Sequence, residues 1–576
     1  MAPTQTAPVT SNKARSIWQQ KEIRLDPALL AELGDEVLAR LLAARGVAGL
    51  SEAQAFLNPR YEDLRLFGGY QDRAILGLDK AVTLLSRAIR DKQSIVVFGD
   101  YDVDGVCGTA ALVDALRLLG GSSRPFLPHR ERDGYGLQTG SLPDVLKSNP
   151  SLVVTVDNGI QSHAAVAELR AKNIEVIILD HHEPGPELPN ASVVVNPKQA
   201  AETASFKTLC AGGIVYRVIE GLFTEFKVPA GQEKWFLDLA ALATVCDMVP
   251  LRGDNRLIVH FGLKTLQNTR RQGLRELINA SAGEDRLSAE VIGFRLGPKL
   301  NAAGRLEHAK SALDLMLTAS PVDAIAMTEV LGRLNRERQQ HTRRVVEAAA
   351  LSAQADLSQQ ALVLSNPDWP AGVCGLAAGK LAERYNRPVF VLSEGDQCVG
   401  SGRSVPGVDL AAAIEAMRPL FIKAGGHAAA AGCTLKRTNL NAFRQALVAF
   451  TVAARGSALP PRTRTYDLEI PLEDVSLEFL DIQRRLEPFG MDNPRPSVRI
   501  SNCTVTKMRR VGADQRHMSL TVGQGKVTRR AIAFGQAGQL GNLTIGSRID
   551  LLAQVQQNDW GGRSSAELQI IDTIPA

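Results

Sequence analysis

The 576-residue chain contains no run approaching the ~18 consecutive apolar residues of a membrane-spanning helix, which excludes a helical integral membrane protein. Its first residues, Met1 to Ser11, lack the apolar core of a secretory signal and read as a disordered tail. Cysteine is scarce: Cys107, Cys210, Cys246, Cys374, Cys398, Cys433 and Cys503 lie scattered, with none of the paired spacings of a zinc site. That excludes a thiolate-zinc or disulfide-built scaffold and predicts reduced, mostly buried thiols in a cytoplasmic protein. A dominant charge is missing as well. Lys and Arg number 66 against 61 Asp and Glu, and the net +5 by itself identifies no partner. With 45% hydrophobic and 22% charged residues, the composition is that of soluble globular protein, and the length suffices for three or four domains.

What is present is an ordered set of acidic and histidine signatures. Asp100-Tyr101-Asp102-Val103-Asp104-Gly105, Asp157-Asn158-Gly159, Asp180-His181-His182 and Cys246-Asp247 each follow an apolar segment. Ile95 to Phe98, Leu152 to Val156 and Val176 to Leu179 are short and β-branched without clean alternation, the pattern of strands buried on both faces of a parallel sheet. Between them, Val106 to Leu119 carries helical spacing and stops at Gly120-Gly121, and Ser162 to Ala171 reads as a second helix. Right-handed crossovers make such strands parallel and set their carboxyl ends along one edge, where open α/β sheets bind ligands. Asp247 arrives from the end of an apolar helix, Trp235 to Cys246.

Four carboxylates meeting without a cation would repel one another and raise their pKa values; two divalent ions would neutralise them. Asp102, Asp104, Asp157, Asp247 and His181 form an oxygen-rich set with one imidazole, suited to manganese or magnesium. Two such ions, about 3.5–4 Å apart and sharing a carboxylate, would activate a water and stabilise the leaving oxygen of a phosphodiester. Taken singly, an Asp-Gly after a strand is more often a turn, and a His-His pair more often a surface or core pair. Asp-x-Asp-x-Asp-Gly also matches the opening of a calcium loop, but no acidic residue closes it at the twelfth position.

In this order the signatures resemble the DHH phosphoesterase superfamily, and the resemblance to its single-strand-specific 5′-to-3′ DNA exonuclease branch covers nearly the whole chain. It includes Pro128-His129-Arg130 with Gly134-Tyr135-Gly136-Leu137, and Gly297-Pro298-Lys299-Leu300-Asn301-Ala302-Ala303-Gly304-Arg305. Further on it includes Trp369 with Gly372-Val373 and Gly375, Ser401-Gly402-Arg403, Gly425-Gly426-His427 with Ala430-Ala431-Gly432, and Pro488-Phe489-Gly490 with Asn493-Pro494. The resemblance implies Asp102, Asp157 and Asp247 on one ion and Asp104, Asp157 and His181 on the second. It implies His182 at the scissile phosphate, with Asp100 and Asp180 orienting the ligands. It further implies a terminal phosphate on Ser401, Arg403 and Arg130, with Gly402, Gly426 and His427 beside it and Arg305 on the intervening backbone. DHH-type pyrophosphatases carry a histidine four places before the first ligand aspartate; Phe98 stands there in this chain, which counts against that branch.

Downstream, Pro321 to about Leu357 is rich in Ala, Leu, Glu, Arg and Gln, with Gly332 its only glycine, and predicts one long helix kinked at that residue. Its polar cluster, Arg333, Asn335, Arg336, Arg338, Gln339, Arg343 and Arg344, is either a solvated face or the wall of a nucleic-acid channel; the resemblance favours Asn335, Arg338 and Gln339 as contacts. Buried strands at Ala361 to Leu364 and Val389 to Leu392 predict a second α/β unit, similar to the DHH-associated domain. In it the glycines of Ser401-Gly402-Arg403 and Gly425-Gly426-His427 read as turns or as a close approach to phosphate. The last lobe shows alternating runs at Val498 to Val505, Met518 to Val522, Thr528 to Phe534, Arg548 to Val555 and Glu567 to Ile571, as in an OB-like barrel. Between Arg495 and Arg530 the nine cations Arg495, Arg499, Lys507, Arg509, Arg510, Arg516, Lys526, Arg529 and Arg530 stand against one acidic residue, Asp514, a local excess of eight that predicts binding to a nucleic-acid backbone. Trp560, beside Gly561-Gly562, is a candidate for base stacking.

The expected architecture is therefore α/β: a DHH parallel-sheet domain joined by a long helix to a DHH-associated domain, with a C-terminal all-β OB-like barrel. The expected divisions are 1–55, an N-terminal tail and helical segment; 56–265, catalytic; 266–349, helical with the connecting helix; 350–456, DHH-associated; and 457–576, OB-like. The expected function is single-strand-specific 5′-to-3′ DNA exonuclease activity, in recombination and repair, with two Mn or Mg ions. A phosphodiesterase of short oligoribonucleotides or cyclic dinucleotides and a catalytically dead scaffold are the alternatives; the intact acidic set counts against the latter. Single-strand-binding protein and a recombination helicase are partners that the resemblance implies.

Overall fold

The computed structural model describes residues 16–64, 75–130, 132–204, 206–283, 286–458, 460–560 and 563–576. The chain divides into two compact units, one of residues 20–332 with 465–576, the other of residues 1–19 with 333–464. The expected disordered tail and the Gly561-Gly562 hairpin tip lie outside the described residues, as does the side chain of Trp560.

In the first unit a five-stranded sheet is built from β1 (Ser94–Gly99), β2 (Ser122–Phe126), β3 (Leu152–Val156), β4 (Glu175–Leu179) and β5 (Val193–Val195). All neighbours are parallel, in the order β2-β1-β3-β4-β5. The chain reverses its direction of travel across the sheet between β1 and β3, so the ligand crevice of this topology lies at the carboxyl ends of those two strands. Every residue of β3 is buried, which explains its unbroken apolar run. The edge strands escaped the sequence reading for local reasons: β2 is SSRPF, with a proline that an edge strand tolerates, and β5 has three residues.

Helices α1 (Val103–Leu118), α2 (His163–Ala171) and α3 (Ala211–Glu225) pack on the sheet, and α4 (Leu237–Cys246) packs against α1 and α3. Helix α1 starts three residues before the expected Val106. Asp102 is its N-cap, accepting from the Gly105 amide, and Asp104 lies in its first turn, a geometry that also removes the calcium-loop reading. Helix α5 (Pro321–Ser352) is continuous through Gly332 and passes from the first unit to the second. Among the described residues no helix is long and apolar enough to cross a membrane.

The second unit carries a mixed sheet of β6 (Leu362–Asn366), β7 (Val389–Ser393), β8 (Gln397–Arg403), β9 (Phe421–His427) and β10 (Ala430–Lys436), with helix α6 (Ala371–Tyr385) packed on it. The order is β9-β10-β8-β7-β6. Ser401-Gly402-Arg403 and Gly425-Gly426-His427 therefore lie in strands. Of the two readings of those glycines, the turn is the one set aside, because β10 pairs with both segments.

Back in the first unit, β11 (Ser497–Val511), β12 (His517–Gln524), β13 (Val527–Ala533), β14 (Arg548–Trp560) and β15 (Arg563–Pro575) close into a five-stranded barrel. The order β11-β12-β13-β15-β14 is completed by pairing of β14 with β11, and β13 and β15 run parallel. Its core continues into the N-terminal helices: Leu29, Leu38, Leu41 and Leu42 share one apolar cluster with Val498, Ile500, Leu520 and Leu551.

Candidate metal centre

The row Gly99, Val156, Leu179 and Val195 is in register across β1, β3, β4 and β5, and one residue beyond it stand Asp100, Asp157, Asp180 and Asn196. Three ligand-distance groupings result, each with donor atoms within 4.8 Å of one another: Asp100 with Asp102 and Asp157, Asp157 with His181 and His182, and Asp104 with His181 and Asp247. Asp157 belongs to two of them. Asp247 falls with Asp104 and His181 rather than with Asp102, and Asp100 and His182 come within ligand reach as well. His181 Nε2 lies 3.1 Å from Asp157 Oδ1, 3.6 Å from Asp247 Oδ2 and 3.7 Å from Asp104 Oδ2.

Local structure fixes each carboxylate. Asp157 holds a left-handed backbone, φ 66°, which aspartate tolerates better than most residues but still at a cost. Asp104 receives the first amides of α3, from Ala211 at 2.8 Å and Gly212 at 2.7 Å, where the helix dipole favours an anion. Gly212 is required there, since a Cβ would fall 2.4 Å from that of Ala243. Asp180 accepts at Oδ2 from the Ile160 amide and at Oδ1 from both histidine amides and His182 Nδ1, the last at 2.7 Å. Both of its oxygens are engaged as a brace.

The electrostatics fit divalent cations. Burial, followed by the charge of Asp102, pushes Asp104 up to about 6. Burial, followed by Asp104 and Asp102, pushes Asp247 up to about 9. Asp100 and Asp157 are raised well above the ordinary range, by burial first and neighbouring carboxylates second. Asp100 Oδ1 is buried without a hydrogen-bond partner. A shared cation supplies the charge that these groups lack. His182 is raised as well, for a different reason: burial opposes its protonated form, but the hydrogen bond and charge of Asp180 outweigh it. Phe98, at the position that separates the pyrophosphatases, is fully buried and stacks on Phe126, 5.2 Å between ring centroids.

Several residues at the centre carried no role in the sequence reading. Asn158 ties Val156 and Phe98 carbonyls to the Leu137 amide. Asn196 donates to the His182 carbonyl at 2.9 Å; its signal was the strand-end position, hidden because β5 is so short. The Tyr135 hydroxyl lies 3.1 Å from His182 Nε2 and donates to the Asp157 carbonyl. Arg130 rests over the Tyr101 ring, 4.9 Å from its centroid, and Arg305 follows Gly304, where a Cβ would fall 2.5 Å from the Tyr101 carbonyl oxygen.

In the second unit, register brings the predicted phosphate residues together. Ala430 pairs with Arg403 and His427, Ala431 with Gly402 and Gly426, and Gly432 with Ser401 and Gly425. Gly375 of α6 packs on them, since a Cβ there would fall 3.3 Å from Arg403 Nη2 and from Ser401 Cβ. On α5, Arg338 sets its guanidinium on Asn335 Oδ1, 2.8 Å from Nη2, Gln339 is exposed, and Arg333 and Arg343 pair with Glu337 and Glu347. The barrel's cation excess is smaller than its sequence suggests. Arg495 pairs with Glu290, Arg499 with Asp550, Arg516 with Asp514 and Arg530 with Glu567, while Arg529 is bound to the Val475 carbonyl. Lys507, Arg509, Arg510 and Lys526 are exposed and, among the described residues, make no ion pair.

A parallel sheet that presents aspartates and paired histidines at its switch point is the centre of a metal-dependent phosphoesterase of the DHH class. Accordingly, residues 94–244 match the DHH family, N-terminal domain; residues 358–453 match the DHHA1 domain; and residues 466–572 match the RecJ OB domain. The single-stranded-DNA-specific exonuclease RecJ of Bacillus subtilis is 33% identical over 543 residues, 93% of this chain and 67% of that protein. The Escherichia coli protein of the same description is 31% identical over 582 residues, 96% of this chain and 98% of that one. The crystal structure of Thermus thermophilus RecJ in complex with Mn2+ superposes with a TM-score of 0.83 at 29% identity, covering 98% of this chain and 80% of that chain. A Mg2+ complex of the same protein gives 0.77. The chain belongs to the RecJ family.

Proposed function

We propose that this chain is a single-strand-specific DNA exonuclease that removes mononucleotides from the 5′ end. The observation that carries the reading is the cluster of Asp102, Asp104, Asp157, His181 and Asp247 at the switch point of a RecJ-family chain. These residues would hold two Mn or Mg ions, the metals carried by the Thermus thermophilus relative. Bound there, the ions lower the pKa of water and stabilise the charge that develops on the phosphodiester oxygens.

The chain's own residues set the geometry. Asp180 fixes the His182 ring through Nδ1 and keeps the protonated form accessible, which suits contact with the scissile phosphate. Asp100 and Asp180 act as orienting groups. In the same unit Arg130 and Arg305 contact the phosphates of the strand, and in the second unit Ser401, Gly402, Arg403, Gly426 and His427 bind a phosphate, with Asn335, Arg338 and Gln339 as further strand contacts. The expected domain divisions are retained, and single-strand-binding protein, a recombination helicase and a cytoplasmic location belong to the same reading. The RecJ-type barrel at 466–572 favours a long strand over a dinucleotide substrate.

Asp157→Ala tests the centre: manganese-dependent hydrolysis is expected to fall by about a thousandfold or more, in line with loss of a principal electrostatic group. Retained activity would remove Asp157 as the shared ligand.

A further inference from the structure

We infer that Tyr101 is a positioning residue for Arg130, holding its guanidinium ready for the phosphate of a 5′-phosphorylated end and so setting the preference for such ends. The inference rests on the reading of Arg130 as a phosphate contact.

Tyr101 lies inside the acidic signature, between Asp100 and Asp102 of one metal grouping. Its ring and its backbone are each held by a neighbour. Tyr135 meets the ring edge-on, 6.4 Å between centroids and 77° between planes, and the close approach of Gly304 fixes the Tyr101 backbone, since a Cβ there would fall 2.5 Å from its carbonyl oxygen. The Arg130 guanidinium sits over the ring at 4.9 Å. Among the described residues Arg130 makes no hydrogen bond and no ion pair, although it is near enough to Asp100 to draw that carboxyl downward against the effect of burial.

That combination distinguishes a ring from the usual arginine partner. A carboxylate would place the guanidinium but would also occupy its N–H fork and cancel its charge. An aromatic face attracts the cation through its quadrupole and leaves the in-plane donors open. A terminal phosphate, with more oxygens and more charge than an internal diester, gains most from such a fork. Tyr101 therefore confers end recognition by orienting Arg130 without satisfying it.

The test is the ratio of kcat/KM for 5′-phosphorylated over 5′-hydroxyl single strands of one sequence, measured with Mn2+ on the full chain. The wild type is expected to favour the phosphorylated end by about tenfold or more. Tyr101→Phe keeps a ring and keeps the ratio. Tyr101→Leu and Tyr101→Met, which fill space without a π face, lower the ratio by about three- to tenfold. In an Arg130→Ala background the Leu substitution leaves the ratio where Arg130→Ala alone puts it. If both ringless variants lose activity equally on the two substrates, so that the ratio stands, Tyr101 acts only as packing and the inference is overturned. A wild type that shows no preference fails at the Arg130 reading itself and takes this inference with it.

Discussion

Asp157 combines a left-handed backbone with a buried carboxyl whose charged form is disfavoured, so in the metal-free chain this residue works against stability. Asparagine accepts the same backbone and removes the charge. Asp157→Asn is therefore predicted to raise the unfolding temperature of the chelator-treated protein at pH 8 while abolishing the rise that Mn2+ gives the wild type; calorimetry with and without the ion checks both. The sign follows from linkage. Asp104, at about 6, and Asp247, at about 9, hold protons in the fold that they release in the unfolded chain, so the metal-free fold is favoured below the ordinary carboxylate range and loses that advantage as pH rises through 6 and then 9. Ion binding needs these groups deprotonated and must expel protons. At pH 7, titration with Mn2+ in buffers of different ionisation heat should reveal proton release on binding, from the raised carboxyls of Asp157 and Asp247. No dependence on the buffer would contradict the protonated carboxyls.

The elements that carry these residues were legible where a physical signal is local. Strands β1, β3 and β4 are buried on both faces, and their apolar runs ended at the aspartates; the crossover rule then set Asp100, Asp157 and Asp180 on one edge. What the chain did not reveal depends on distant partners. The amides at Ala211 and Gly212 reach Asp104 from 107 and 108 residues away. Glycine signals turns, which is why a turn stood as an alternative for the Ser401 and Gly425 segments, whereas β10 pairs with both and makes them strands. The same close packing makes a prediction: a Cβ at Gly105 would fall 2.5 Å from the Asp100 amide nitrogen, so Gly105→Ala should cost about 1–3 kcal/mol and weaken Mn2+ binding together with stability. Thermal unfolding and ion titration test it, and a variant of wild-type stability would show that the start of α1 has room to move.

At the scale of the molecule, the barrel is not an independent appendage of its unit. Arg256 bonds the Leu486 and Glu487 carbonyls and Phe56, Arg45 bonds Asn493 and Pro494, and the N-terminal helices share the barrel core. Deleting the barrel would uncover Leu29, Leu38 and Leu41, so its role is better tested by charge. Neutralising Lys507, Arg509, Arg510 and Lys526, the barrel cations without ion-pair partners, should reduce the slope of log affinity against log salt by up to about 3, at ~0.7 per phosphate contact on single strands. An unchanged slope would place the strand elsewhere. The central claim, a metal centre that cuts single strands from their 5′ end, is tested most directly by time-resolved digestion of end-labelled single- and double-stranded DNA with Mn2+, Mg2+ or chelator. The expected result is early release of the 5′ label as mononucleotide from the single strand alone, dependent on the ion. Early release of the 3′ label, equal digestion of the duplex, or hydrolysis in chelator would contradict it.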